Sequence, residues 1–316
     1  MSVLMKFGIA SDTAVESDSN RSHKQQQTRD TFSFKWAKRD TYDSQAVQAK
    51  ASQWLMERYC DNDPALLDQW LARGRKIILD AGCGAGYSAL AFFGDRLKEH
   101  DYLGVDISDA VEVARIRLQE AGCTGEFLKR DLLDLDDIPK NSIDIIFSEG
   151  VLHHTDNTER SFAYLASKIC SGGRFMFYVY AKKAVIREFT DDHIRNQLRF
   201  LSDEEAWQAL YPLTKLGIAL GELNVELYVS EDIPYLGIKK GKLDLQRFIY
   251  WNVCKLYYRP EYTLDEMNHI NFDWFRPLNC HRHTPEEVRR WCDEAGLVIE
   301  RMNVQEAGIT VVAQKP

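Results

Sequence analysis

The stretch Ile77-Ile78-Leu79-Asp80-Ala81-Gly82-Cys83-Gly84-Ala85-Gly86 joins an apolar run, an acid and a loop with glycine at three alternate positions. This pattern is typical of a buried strand that turns tightly into a helix. Glycine lets the backbone approach a ligand closely and leave its N–H groups pointing inward. The spacing differs from the dinucleotide pattern Gly-x-Gly-x-x-Gly, and the charge of Asp80 opposes a pyrophosphate but suits an ammonium or amide. The loop therefore favours an amino-acid-bearing nucleoside over a nicotinamide dinucleotide.

A second strand is predicted at the interval that a strand-helix-strand unit requires. After a helical stretch, Tyr102-Leu103-Gly104-Val105-Asp106 repeats the pattern of an apolar strand that ends in an acid. Asp106 lies 20 positions after Gly86. An acid at this place can accept hydrogen bonds from both hydroxyls of a ribose. We therefore expect Asp106 to bind the sugar of the ligand.

Two more strand patterns end in polar residues. Glu126-Phe127-Leu128 leads to Asp131, and the apolar run 142–147 leads to Ser148-Glu149 and then to the pair His153-His154. Strands that alternate with helices in this way predict a doubly wound α/β fold with a mostly parallel sheet. The polar groups are then expected at one edge of the sheet, where ligands of such folds bind.

The four segments in this order resemble the class I S-adenosylmethionine-dependent methyltransferases, which carry a D-x-G-C-G-x-G loop and an F-D-x-I-x-x-x-x-V-L-H-H segment. The likeness spans residues 75–180 and resumes near Thr284, with Ile143 where the second motif usually has phenylalanine. It implies a Rossmann-like seven-stranded sheet, mostly parallel, with one antiparallel strand near the C-terminus. The antiparallel hairpin is expected at 297–303 and 309–313.

The resemblance also implies which positions contact S-adenosylmethionine. The implied cofactor residues are Asp80, Gly82, Cys83, Gly84 and Gly86 around the methionine moiety, Asp106 at the ribose, Ile107, Asp131 and Leu132 at the adenine, and Ser148 and Glu149 on the pocket floor. Each has an alternative, because a lone strand-end acid is more often solvated or a helix cap. Cys83, a small residue between glycines, is interpreted as a packing residue rather than a nucleophile.

The chain is predicted to divide into five segments. They are a mobile tail (1–30), leader helices over the cofactor mouth (31–74, with helices at 44–60 and 64–73), the cofactor-binding core (75–183), an inserted lid (184–283), and a closing helix and hairpin (284–316). The tail is rich in polar residues and poor in large apolar ones, which is typical of a mobile segment. Thr284 and Pro285 are suited to the first positions of the closing helix.

The insert is expected to be a mainly helical lid that determines acceptor specificity. Helical patterns occur at 192–199, 202–209 and 213–220, and 271–283 is interpreted as a non-periodic, functional loop. Cys280, His281 and His283 are of metal-ligand type, but such close neighbours cannot all face one ion, so no metal is expected.

Acceptor-binding candidates come from the leader, the fifth strand and the insert. They are Trp36, Tyr178, Trp274, Arg276 and Arg282. Arginine can pair with an anionic acceptor while tryptophan stacks on it; alternatively, these side chains fasten the lid. His153 is the candidate base if the acceptor is a hydroxyl, and otherwise packs or caps.

Composition narrows the function classes. A chain of 316 residues with 45% hydrophobic content can bury a full α/β domain and a sizeable addition. A net charge of −8 disfavours nucleic acid. The 7 scattered cysteines indicate reduced thiols, and neither a signal peptide nor a membrane-spanning run is evident. We expect a cytoplasmic protein, a monomer or homodimer, that does not bind membranes.

The favoured function is methyl transfer to a small-molecule acceptor, with oxygen slightly preferred over nitrogen or carbon. The alternatives are an RNA or protein methyltransferase, a non-catalytic adenosyl-ligand-binding protein, and an NAD(P)-dependent reductase. A reductase would require Gly-x-Gly-x-x-Gly and usually a Tyr-x-x-x-Lys proton donor, neither of which stands where expected.

Overall fold

The computed structural model describes residues 2–9 and 22–316, which form two compact units. The first unit, the core, comprises the described residues up to Ala37, Gln48–Ala181 and Asn279–Pro316. The second unit, the insert, comprises Lys38–Val47 and Lys182–Leu278. The stretch 279–283, which we predicted to be part of the lid, therefore belongs to the core.

The core is built on one sheet. In chain order the strands of the described residues are β1 (Ile77–Ala81), β2 (Asp101–Asp106), β3 (Gly125–Lys129), β4 (Ile143–Glu149), β5 (Ile169–Tyr180), β6 (Glu226–Val229), β7 (Gly241–Asp244), β8 (Val298–Val304) and β9 (Gly308–Gln314). Strands β6 and β7 lie in the insert, where they pair with each other. The sheet has seven strands in the order β3-β2-β1-β4-β5-β9-β8. Strands β1 to β5 run parallel, and β9 is antiparallel to both of its neighbours. The predicted fold class is confirmed, and so is the C-terminal hairpin.

The described residues form twelve α-helices. They are α1 (Val3–Lys6), α2 (His23–Ala37), α3 (Gln45–Cys60), α4 (Pro64–Leu71), α5 (Tyr87–Phe93), α6 (Ala110–Glu120), α7 (Thr158–Ala166), α8 (Val185–Leu198), α9 (Asp203–Glu222), α10 (Leu245–Asn252), α11 (Leu264–Phe275) and α12 (Pro285–Glu294), of which α8 to α11 lie in the insert. Successive strand residues point to opposite faces, so Leu79 and Ile78 of β1 belong to separate buried clusters. Burial on both faces explains why β1 is almost wholly apolar.

The predicted tail needs correction. Residues 10–21 lie outside the described part of the chain, but α1 and the first half of α2 form within the stretch 1–30. The buried residues of α2 are polar, namely Gln25, Thr28, Thr31 and Lys35. Two of them bond to Asn279: its backbone N–H donates to Thr28 Oγ1 at 3.2 Å, and its Nδ2 donates to Gln25 Oε1 at 3.1 Å. A hydrophobic pattern could not reveal a helix held in this way.

Within the insert, two predictions about local structure were wrong. The two helical patterns at 202–209 and 213–220 form one helix, α9, which continues through Pro212. The expected loop 271–283 begins inside α11, because Thr263 and Glu266 form a capping box that starts a helix reaching Phe275. In the described residues, no helix is both long and apolar enough to cross a membrane.

Helix α3 is attached to the sheet by a buried ion pair. Arg58 Nη2 donates to Glu149 Oε1 at 2.6 Å, and Arg58 Nη1 donates to Thr310 Oγ1 at 3.0 Å. The guanidinium carbon lies 3.3 Å from the ring centroid of Trp54 and 4.3 Å from that of Tyr178. Removing one partner of such a pair leaves the other charge buried without compensation.

We therefore expect Arg58→Met to lower the free energy of unfolding by about 3–5 kcal/mol in denaturant titrations. The double variant Arg58→Met, Glu149→Gln should recover part of this loss, because no buried charge then lacks its partner. Arg290→Met is the control: Arg290 pairs with Glu159 at 2.8 Å on the surface, and its loss should leave stability nearly unchanged. Equal effects at Arg58 and Arg290 would contradict the assignment of α3 as anchored by this pair.

Candidate active site

The glycine loop between β1 and α5 is fastened to the end of β2. Gly82, Gly84 and Gly86 all have positive φ, at +86°, +49° and +71°. The backbone N–H groups of Gly82 and Cys83 donate to the Val105 carbonyl at 2.8 and 3.0 Å. These two donors are thus used within the fold. Burial raises the pKa of the Cys83 thiol well above its usual value, in keeping with a packing residue.

Asp80 is a buried acid at the end of β1. It is 3% exposed, and Tyr102 Oη donates to its Oδ2 at 2.6 Å. Burial raises the pKa of Asp80 to about 7; the Tyr102 hydrogen bond opposes this shift, while the charges of Asp106 and Glu149 add to it. Burial disfavours the charged form of Asp80, and a cation beside it would favour that form. A cationic ligand group would therefore lower the pKa of Asp80 and pair with its carboxylate.

Asp106 connects the end of β2 to the glycine loop. Its Oδ2 accepts the N–H of Gly84 at 2.8 Å, and its Oδ1 accepts the N–H and Oγ–H of Ser108 at 2.8 and 2.6 Å. Burial raises the pKa of Asp106, although these hydrogen bonds lower it. Carboxylate oxygens can accept more than one hydrogen bond each, so Asp106 could also accept ligand hydroxyls.

The residues expected around adenine lie beside Asp106. The N–H of Arg130 donates to the Asp106 carbonyl at 2.9 Å, which joins the ends of β2 and β3. Asp131 Oδ1 accepts the N–H of Leu133 at 2.9 Å in a tight turn. Ile107 is half-buried and Leu132 is buried. The structure thus brings Ile107, Asp131 and Leu132 to the same edge of the sheet as the glycine loop.

Ser148 and Glu149 lie at the end of β4, but their side chains are bound to protein groups. Ser148 Oγ donates to the Ala81 carbonyl at 2.9 Å. Glu149 accepts hydrogen bonds from Arg58 and, at 2.7 Å, from Tyr59 Oη. Ser148 thus ties β4 to β1 and Glu149 anchors α3, and the place of these two residues on the pocket floor stays a prediction. Arg58 was missed because nothing local in sequence links it to Glu149.

Helix α2 lies over the glycine loop. A Cβ atom on Gly84 would be only 3.0 Å from Nε1 of Trp36. Lys35 Nζ lies 3.8 Å from the Trp36 ring centroid, and Asp109 N–H donates to Ser33 Oγ at 3.1 Å. Trp36, an acceptor-binding candidate, is thus in contact with the loop on which the cofactor residues are expected.

An aromatic and imidazole cluster occupies the ends of β4 and β5. The His153 ring is wholly buried, with its centroid 3.6 Å from that of Tyr180, 4.4 Å from that of His154 and 6.2 Å from that of Tyr178. His154 Nδ1 lies 2.6 Å from the Asn279 carbonyl. Tyr180 is half-buried and was not among the predicted site residues. Tyr180 is thus more exposed than the His153 ring on which it packs.

The stretch 279–283 runs along this cluster. His281 Nε2 lies 3.0 Å from the Thr155 carbonyl, and His283 Nε2 lies 3.0 Å from Thr158 Oγ1. Arg282 Nη1 donates to the Cys280 carbonyl at 3.1 Å. Across residues 2–9 and 22–316, no group of three or more His, Cys, Asp or Glu side chains is arranged to hold a metal ion.

Trp274 and Arg276, two further acceptor-binding candidates, are buried inside the insert. Trp274 Nε1 donates to Asp191 Oδ2 at 2.7 Å. Arg276 Nε donates to Asp203 Oδ1 at 2.7 Å, and its Nη2 donates to the Leu201 carbonyl at 2.9 Å. Both side chains therefore hold α8, α9 and α11 together. These contacts favour the alternative in which Trp274 and Arg276 fasten the insert, and their contact with an acceptor stays a prediction.

Comparison with known proteins identifies the core. Residues 79–177 match the methyltransferase domain family. An uncharacterised protein of Synechococcus sp. is 36% identical over 123 residues, 37% of this chain and 29% of that protein. The uncharacterised methyltransferase YcgJ of Bacillus subtilis is 27% identical over 155 residues, 46% of this chain and 58% of that protein. The matches thus span less than two thirds of either relative.

The solved structures agree on the fold. Magnesium protoporphyrin IX methyltransferase (ChlM) from Synechocystis PCC 6803, with bound SAH, has a TM-score of 0.50 at 16% identity and covers 93% of this chain and 100% of that chain. With the sheet order and the family match, the core is a class I S-adenosylmethionine-dependent methyltransferase domain. S-adenosylmethionine is the cofactor of this class.

The raised pKa of Asp80 predicts that ligand binding depends on pH. Because the apo pKa of Asp80 is about 7, we expect S-adenosylhomocysteine, whose amino-acid end carries an ammonium, to bind the ionised form. As pH falls below 7, affinity measured by calorimetry should decrease by up to about tenfold per unit, because one proton must be released on binding. Asp80→Asn should bind more weakly and without this slope. A flat profile in the unsubstituted protein would exclude contact between Asp80 and the ammonium.

The loop generates a second prediction, for which Gly237 provides the control. Gly84 and Gly237 both have positive φ, but a Cβ would meet Trp36 at Gly84 and nothing within 4 Å at Gly237. Alanine at either position should cost about 1–2 kcal/mol of stability through backbone strain. Only Gly84→Ala should weaken S-adenosylhomocysteine binding, at least tenfold, since Trp36 or the loop must move. Equal affinities for the two variants would show that Gly84 does not shape the binding site.

Proposed function

We propose that this chain transfers the methyl group of S-adenosylmethionine to a small-molecule acceptor, with a hydroxyl oxygen the favoured target. The observation that carries the proposal is the hydrogen-bonded arrangement of the glycine loop, Asp80 and Asp106. Its donor set fits the cofactor: a buried acid suits an ammonium, and Asp106 retains acceptor capacity for ribose hydroxyls. The family match of residues 79–177 supports the same activity.

The chain's residues then have three tasks. Gly82 and Gly84 with Asp80 and Asp106 bind the cofactor, and Ile107, Asp131 and Leu132 enclose its base. When bound, S-adenosylmethionine supplies a methyl group on a positively charged sulfur, which needs no further activation. The protein must therefore orient the acceptor in line, with the reacting atoms about 3–3.5 Å apart, and exclude water. Trp36 is placed to exclude water, because its indole covers the loop at Gly84.

A hydroxyl acceptor also needs a group that takes its proton. We assign this task to His153, which lies just after β4 and stacks on Tyr180 at a centroid distance of 3.6 Å. Because the ring is wholly buried, we propose that Tyr180, which packs on it and is half-buried, forms the wall that must move for an acceptor to reach His153. Tyr178 lies next to both the His153 ring and the Arg58 guanidinium, so it would set the position of this wall.

A small acceptor is favoured over a macromolecule by charge and by chain organisation. The net charge of −8 repels RNA, and the described part of the chain has no separate basic domain. The insert Lys182–Leu278 follows β5 directly in the chain, and we propose that it selects the acceptor. Arg282 in the core stretch 279–283 is a further candidate for contact with an anionic acceptor.

The activity can be tested with S-adenosylmethionine labelled on its methyl group. The full chain is incubated with a small-metabolite extract, with RNA and with protein in separate arms, and the labelled product is identified by mass. We expect label only in the small-metabolite arm, inhibition by S-adenosylhomocysteine, and no competition by NADH. Label in the RNA or protein arm would overturn the assignment of the acceptor. Cofactor binding without transfer in any arm would favour a non-catalytic adenosyl-binding protein.

His153 and His154 form a matched pair for testing the base. His153→Gln should lower kcat about 100-fold or more, with partial recovery at higher pH, where an ionised acceptor needs no base. His154→Gln removes a ring whose Nδ1 lies against the Asn279 carbonyl, and it should lower stability without this pH-dependent recovery. Identical pH profiles for the two variants would reduce His153 to a packing residue.

A further inference from the structure

Two guanidinium groups in the insert share one pair of aromatic rings. The guanidinium carbon of Arg187, on α8, lies 4.7 Å from the ring centroid of Tyr250 and 5.4 Å from that of Trp251. The guanidinium carbon of Arg247, on α10, lies 4.5 and 5.3 Å from the same two centroids. The two cations can therefore be no farther apart than the sum of their distances to Tyr250. Like charges brought together in this way repel each other unless an anion compensates them.

The hydrogen-bonding capacity of these groups is only partly used. Arg187 is 1% exposed, and its Nε donates to Asp191 Oδ2 at 3.1 Å. Its Nη1 is buried and, among the described residues, meets no acceptor; the same holds for Nη1 of Arg247 and Nε of nearby Arg259. A buried N–H donor without an acceptor destabilises the fold, because it has lost its hydrogen bond to water and formed no other. Three such donors in one neighbourhood therefore point to a missing acceptor.

Asp191 is bonded to other donors and accepts from none of these three N–H groups. Its Oδ2 already receives Trp274 Nε1 at 2.7 Å in addition to Arg187, and its Oδ1 receives the backbone N–H of Lys255 at 3.1 Å. Burial, with the nearby charge of Arg259, lowers the pKa of Arg247, although the neighbouring tyrosines and Asp244 oppose this shift. Arg187 is thus paired with the buried Asp191, whereas the carboxylate that acts on Arg247 is that of the exposed Asp244.

We propose that the insert binds an anion, a phosphate or carboxylate group of a small molecule, at Arg187 and Arg247 beside Tyr250 and Trp251. The guanidinium fork matches both kinds of anion through paired N–H donors, and an aromatic wall strengthens such pairs by excluding water. This site lies wholly within the insert and does not depend on methyl transfer. The competing explanation is that the cation–π contacts alone stabilise the two arginines.

The test uses the full chain and two probes, inorganic phosphate and benzoate, at constant ionic strength. Binding is measured by quenching of tryptophan fluorescence, to which Trp251 contributes, and by calorimetry. Arg247→Met is the main variant because Arg247 is only partly buried, and Arg187→Lys keeps the charge while losing the fork. Arg199→Met is the matched control, since the exposed Arg199 stacks on Phe200 at 4.3 Å outside the cluster.

We expect saturable binding of at least one probe by the unsubstituted chain and by Arg199→Met, and at least tenfold weaker binding by Arg247→Met and Arg187→Lys. Preference for phosphate or for benzoate identifies the class of anion. The absence of saturable binding of both probes, or equal binding by all four proteins, would overturn the proposal. S-adenosylhomocysteine affinity should be unchanged in every variant, so that failure here is distinct from failure of the proposed function.

Discussion

The hydrogen bonds that hold the glycine loop against the end of β2 are the constraint on which the rest of the core depends. The Val105 carbonyl takes two loop N–H groups, and Asp106 takes that of Gly84. Three donors that would otherwise point at a ligand are therefore used within the protein. A loop satisfied in this way offers little to a pyrophosphate, which needs free N–H groups, but it leaves carboxylates at the edge of the sheet. The preference for an amino-acid-bearing nucleoside over a dinucleotide therefore rests on these internal hydrogen bonds as well as on the glycine spacing.

Buried acids give this edge of the sheet its electrostatic character. Asp80, Asp106 and Glu149 end adjacent strands, and Arg58 compensates only Glu149. The charges of Asp106 and Glu149 both add to the raised pKa of Asp80. In the folded chain, ionisation of Asp80 therefore costs stability that protonation or a bound cation restores. Asp80 and Asp106, which Arg58 does not compensate, therefore favour a ligand with a cationic group at this edge.

Sequence reasoning succeeded where local patterns carry the structure. The apolar strands, the glycine loop and the Thr284–Pro285 helix start each follow from a few adjacent residues, and the mostly parallel sheet follows from the alternation of strands and helices. It failed where partners are distant in the chain. The pairing of Arg58 with Glu149, the polar face of α2 and the burial of Trp274 on Asp191 all involve contacts across 60 residues or more. The helix through Pro212 shows that the packing of a long amphipathic helix can outweigh a helix-breaking residue.

The two parts of the leader that belong to the core are held by different interactions, and this bears on access to the site. The end of α3 is fixed by Arg58, and moving α3 away from the sheet would break the buried ion pair of Arg58 with Glu149. Helix α2, which carries Trp36 over Gly84, is held through polar contacts such as those of Thr28 and Ser33. Such hydrogen bonds are exchanged for water at a net cost of only about 0.5–1.5 kcal/mol each. Of these two helices, α2 is thus the one held by hydrogen bonds between uncharged groups, and it is the one that covers the loop.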